Sequence, residues 1–290
     1  MNDFVIVTDS CCDLPGDFAR ELELEVLPLS VRLNEKDFFN DLDGKEIGFH
    51  DFYEQLRNEA VCTTSGVNVE AFKTKMESIL QSGKDILCIQ FSSALSNTFN
   101  SAYVAAQELA PKYPERKLYT IDSLCASLGQ GLLIYHAVQQ KRSGKTIEQV
   151  RDWVEENKLK LCHWFTVDDL NHLKRGGRVS SATALIGTVL GIKPVLHVDD
   201  EGRLINVGKA RGRKASLIAL VDQMEETVID PENQVIFISH GDSLEDAEWV
   251  RDEVRRRFSV KDVVINYVGP VIGTHSGPGT IALFFLGVHR

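Results

Sequence analysis

His275 stands in the run Val271-Ile272-Gly273-Thr274-His275-Ser276-Gly277-Pro278-Gly279, and Ile281, Ala282, Leu283, Phe284 and Phe285 follow almost at once. A histidine in a glycine-rich loop has no helical or strand face of its own to fill, and the apolar run behind it suits a hydrocarbon. Two further stretches are dense in hydroxyls: Thr63-Thr64-Ser65-Gly66 and Ser92-Ser93-Ala94-Leu95-Ser96-Asn97-Thr98. Hydroxyls and imidazole can donate hydrogen bonds to an anionic head group. Positive charge could come from Leu173-Lys174-Arg175-Gly176-Gly177-Arg178 or from Lys209-Ala210-Arg211-Gly212-Arg213-Lys214. The chemistry these residues suit is recognition of a ligand with a polar head and an apolar tail.

Plainer roles stand beside that reading. Ser96 suits a helix N-cap, Thr64 and Ser65 suit an ordinary turn, and His275 could bond a loop carbonyl. Each cationic cluster could be a solvated run, and Asp9 and Asp13 read as turn and cap residues. An enzyme is the other class to weigh. Ser96 or Ser276 with His275 could make a hydrolase or acyl transferase if geometry joined them. GxSxG, Walker A and GxGxxG motifs are all missing, which leaves the usual nucleophile elbow and nucleotide cradles unsupported.

The positioning elements follow from periodicity. Apolar bursts alternate with amphipathic stretches, the pattern of an α/β protein with mainly parallel sheets. Strands are expected at residues 4–8, 25–31, 85–91 and 117–121. Helices are expected at 69–81, 96–109, 127–141 and 147–156. In the second of these, Phe99, Ala102, Tyr103, Ala106 and Leu109 share one face. The second half reads as a strand at 161–167, a helix at 168–173, a hairpin around Asp199-Asp200-Glu201-Gly202, then helix, strand, helix and strand to Tyr267. Two domains are expected, 1–159 and 160–290, with loops of both forming the pocket; 290 residues are comfortable for that division.

Composition excludes several classes. The net charge of −10 works against binding nucleic acid, where lysine and arginine must neutralise phosphates. No run approaches the roughly 18 apolar residues of a membrane span, and the short apolar run after Asp3 is too brief for a secretory signal. A cytoplasmic protein is expected. The six cysteines show no CxxC pair and read as reduced core thiols without metal.

In order along nearly the whole chain come VTDSCCDLP, TTSGVN, SSALSNTFNSA, TIDSLCASLGQGLL, VDDLNHLKRGGRVS, GIKPVL and GPVIGTHSGPG. Together they strongly resemble the DegV family of bacterial fatty-acid-binding proteins, which includes the lipid-carrying subunit of fatty acid kinase. The resemblance implies a two-domain α/β fold and one buried long-chain fatty acid, such as palmitate, as ligand, with no cofactor. It implies that Thr64, Ser96 and His275 contact the carboxylate, with Ser65, Arg178 and Arg211 near the head group or the partner. It also implies a carrier without chemistry of its own that presents the carboxyl to a separate ATP-dependent kinase, which forms an acyl phosphate. A lipid-sensing regulator is a further reading. Where many members have TSQP this chain has Thr64-Ser65-Gly66-Val67, Asn97 replaces a glycine, and Cys11 and Cys12 replace smaller residues. The first two departures bear on loop shape and chain selectivity.

Overall fold

The computed structural model describes residues 3–180 and 191–290. Its first half carries strands β1 (Phe4–Asp9), β2 (Glu25–Leu27), β3 (Leu29–Leu33), β4 (Lys36–Asn40), β5 (Cys62–Ser65), β6 (Asp85–Gln90) and β7 (Leu118–Asp122). The second half carries β8 (Leu161–Thr166), β9 (Ile192–Val198), β10 (Leu204–Arg211), β11 (Val235–His240), β12 (Asp262–Tyr267) and β13 (Ile281–Leu286). Residues 158–160 form a single tight turn between the two halves.

The first sheet runs in the order β2-β1-β6-β7, all parallel. Helices cover it, so β6 is buried along its whole length and reads as a continuous apolar run. The single strand expected over 25–31 is instead two. Pro28 lies between β2 and β3 and has no amide to donate to a ladder, so the chain leaves the parallel sheet there. It re-pairs as the antiparallel sheet β4-β3-β5. Asn34 and Glu35 both have positive φ, 46° and 69°, as a two-residue type I′ hairpin requires.

The α/β class holds, but the second sheet corrects the expectation of mainly parallel pairing in both halves. Its order is β10-β9-β8-β13-β11-β12, and only β11 and β12 run parallel. The reason is connectivity. Among the described residues one strand-helix-strand crossover joins neighbouring strands in this half, through the helix Leu244–Arg257, whereas β9 and β10 form a hairpin and β13 inserts antiparallel to both its neighbours.

One apolar cluster spans both sheets, joining Ile6 and Leu87 of the first to Phe165, Leu196, Phe237 and Phe284 of the second. The helix Leu128–Arg142 belongs to the same cluster, contributing Leu128, Leu132, Leu133 and Ile134. Its sequence is apolar around most of its circumference, as expected of a helix packed on more than one side. The helix Thr98–Leu109 buries Ala102, Ala106 and Leu109 of the expected face, but the face is rotated so that Ala105 is buried and Tyr103 is exposed. Small alanines allow the close approach that the tyrosine would block. No helix among the described residues is long and apolar enough to cross a membrane.

Candidate functional site

Thr64 comes from β5, whose alternation leaves Cys62 and Thr64 half-buried and Thr63 and Ser65 exposed. Its pairing with β3 sets Thr64 opposite Val31. His275 comes from a helix, Pro270–Ser276, and not from a loop as expected. Pro270 begins that helix at a position where the missing amide costs nothing. Gly277, at φ 79°, ends it. The helix is braced by Tyr53, whose hydroxyl donates to the Val268 carbonyl at 2.7 Å. His275 Nε2 then lies 2.9 Å from Thr64 Oγ1.

Ser96 lies in the turn after β6. Its Oγ accepts from the Thr98 amide at 3.2 Å and pairs with Thr98 Oγ1 at 2.9 Å. The helix begins at Thr98, two residues later than expected, with Asn97 as an N-cap whose side chain bonds Asn100 and not a first-turn amide. The Ser96 hydroxyl therefore satisfies a first-turn amide from one position further back.

Arg178 joins this turn to the helix Leu170–Arg175. Its Nε and Nη2 donate to the Leu95 carbonyl at 3.1 and 3.0 Å, and Nη1 donates to the Gly176 carbonyl. These acceptors are neutral, and no acidic residue pairs with Arg178 among the described residues. Burial pulls its pKa down, which measures the cost of a cation without a counter-ion. Burial, and then the nearby Arg178 charge, lower the His275 pKa to about 4, so its imidazole is neutral near pH 7. The ring edge carrying Nδ1 is packed against Gly176, where a Cβ would come within 2.2 Å.

Two cavities meet here. The inner one, about 190 Å³, is walled mainly by apolar side chains, among them Leu29, Phe91, Phe165, Val198, Leu204 and Phe284. The outer one, about 860 Å³, is polar and carries Arg57, Asp169, His172 and Arg175. Thr64, Arg178 and His275 line both and so form the boundary between them. Ser65 and Ser96 line the inner cavity. Arg211 lines neither: it is exposed at the end of β10, opposite Ile192. Neither serine weighed as a nucleophile is bonded to His275, because the imidazole is engaged with Thr64 and Ser96 with Thr98.

Sequence reasoning missed the carbonyls of Leu95 and Gly176 that hold Arg178, since a main-chain acceptor has no side-chain signature. It also missed Ser127 and Ser239 in the inner wall. All six cysteines are unpaired, and five are buried.

Fold and cavities define a class: an α/β protein with an internal apolar cavity whose entrance combines hydroxyls, an imidazole and a cation lacking an acidic partner. Within it the chain belongs to the DegV family, because the family model described as "Uncharacterised protein, DegV family" matches residues 3–287. A DegV domain-containing protein of Clostridium perfringens is 47% identical over 287 residues, covering 99% of this chain and 98% of the relative. A solved DegV family protein from Thermus thermophilus, described for its fatty acid binding, is 31% identical with a TM-score of 0.89, covering 99% of this chain and all of that one. A stearic-acid-binding protein from Eubacterium ventriosum is 26% identical with a TM-score of 0.86, covering 97% of each chain.

Proposed function

We propose that the protein binds a long-chain fatty acid, places the acyl tail in the inner cavity and holds the carboxyl at the boundary, by Thr64 and Arg178, with Ser96 just inside it. The observation that carries this reading is the half-buried Arg178 guanidinium, which meets only neutral carbonyls at the junction of an apolar and a polar cavity. A carboxylate supplies the missing counter-charge, and hydrogen bonds to an ionised group are the stronger kind. His275 acts through Thr64: an Nε2–H donated to Thr64 Oγ1 leaves the threonine proton free for the ligand.

Tail burial supplies the affinity. At about 0.8 kcal/mol per methylene, a palmitate-length chain offers on the order of 10 kcal/mol before ordering costs. The inner cavity of about 190 Å³ lies below the ~300 Å³ at the small end of ordinary ligand sites. A whole tail therefore needs the lining side chains to shift. The carboxyl, facing the outer cavity, is offered to a separate ATP-dependent kinase for acyl phosphate formation, and this chain serves as a cytoplasmic carrier. The fatty acid binding of the Thermus thermophilus protein supports the ligand class.

Native mass spectrometry of the purified protein, followed by denaturing lipid extraction, tests the ligand. The expected result is about one fatty acid per chain, as one apolar pocket allows. A protein that is empty and refuses added stearic acid would sink the reading. For the kinase step, loaded protein with ATP and source-cell extract should yield an acyl hydroxamate on hydroxylamine trapping, and no hydroxamate would remove that step alone.

A further inference from the structure

The wall of the inner cavity carries polar groups besides those at its entrance. Ser127, Ser239 and Ser276 all line it, and they are 5%, 0% and 4% exposed. Ser127 Oγ lies 2.6 Å from Asp13 Oδ2 and 3.1 Å from Ser239 Oγ. Its backbone, at φ 53° and ψ −146°, is an uncommon conformation for a residue with a side chain. It is held at the start of the helix Leu128–Arg142. Ser127 has one proton to share between two neighbours. Whichever way the chain of hydroxyls is ordered, Ser239 ends it at the cavity wall with hydrogen-bonding capacity unused. Ser276 Oγ has no hydrogen-bond partner at all among the described residues.

A cavity meant only for methylenes has no use for such groups, because a buried hydroxyl left without a partner is destabilising. Alanine at Ser239 or Ser276 would be the better lining for a plain hydrocarbon. We propose that the Ser239 and Ser276 hydroxyls each offer a hydrogen bond to oxygen carried on the acyl chain, so that the favoured ligands are long-chain fatty acids with a hydroxyl or keto substituent. This rests on the reading that the cavity holds a fatty acid tail. In it Ser127, backed by Asp13, is a positioning residue that fixes the Ser239 hydroxyl.

Competition binding of stearic acid against monohydroxystearic acids with the hydroxyl at different carbons decides the matter. A wall that reads an oxygen should favour at least one positional isomer over stearic acid by about tenfold in the wild-type protein. That ratio should fall to one or below in Ser239→Ala and in the Ser239→Ala/Ser276→Ala double variant. If stearic acid outcompetes every isomer in the wild type, the wall behaves as apolar and the inference is overturned. It is also overturned if the favoured isomer keeps its advantage in the double variant. Stearic acid binding without any such preference leaves the carrier reading standing, whereas failure of every acid to bind overturns both. The wild-type comparison is informative even if a variant does not fold.

Discussion

Thr64 and His275 meet through one hydrogen bond although 211 positions separate them in the chain. On the proposed reading the imidazole orients the threonine and the threonine meets the carboxylate, so the two would act as one unit. Thr64→Val and His275→Ala should each weaken fatty acid binding by about tenfold. The double variant should lose little more than the worse single one, since coupled residues do not add. Displacement of a fluorescent fatty acid measures all three, and full additivity would show that His275 contacts the head group independently. At this scale the sequence was informative about side chains: Thr64, Ser65, Ser96, Arg178 and His275 all line the inner cavity. Arg211 illustrates the limit, because a cluster of cations in sequence does not say which one faces inward. Its neighbours are drawn into surface contacts, Arg213 with Asp246 and Lys214 over Trp249.

Elements place these residues, and here legibility was uneven. Long helices and buried strands with clear periodicity, such as the helix Val69–Gln81 and β6, read well because many residues repeat the same signal. The short pieces nearest the site did not. β5 spans four residues, two of which suit a turn on sequence alone, and the helix carrying His275 spans seven, three of its positions being proline, glycine or threonine. Their conformations are set by tertiary neighbours: β3 beside β5 and Tyr53 beneath the helix. The helix Leu170–Arg175 ends at Gly176, directly against the His275 ring. Gly176→Ala places a methyl group where the ring now sits, so it should reduce fatty acid affinity as much as His275→Ala does. Isothermal titration checks this, and wild-type affinity in the alanine variant would mean that the ring relocates without consequence.

Across the whole molecule, buried titratable groups pull stability in opposite directions with pH. Burial holds His136, His197, His240 and His275 down to about 4. Between pH 6.5 and 4 the unfolded chain takes up protons at these sites that the folded chain refuses, so stability falls as pH falls. Burial lifts Asp9 to about 6 and Asp13 to about 8 from 3.8. The folded chain therefore keeps protons that the unfolded chain has released, and stability falls as pH rises until Asp13 ionises. Asp13→Asn should gain stability relative to wild type steadily from pH 5 to 8 and level off above, as read by urea unfolding across that range. A difference that does not change with pH would mean that Asp13 ionises alike in both states. The sheet order has a consequence for how the protein is made. β13 comes last among the described strands, yet it sits between β8 and β11 and brings Ala282 and Phe284 to the cavity wall. While a ribosome is still threading residues 281–286, β8 and β11 each present an open strand edge and the cavity has no wall on that side. Until β13 is in place those two edges are open to mispairing, and on the proposed reading a tail has no complete wall to pack against.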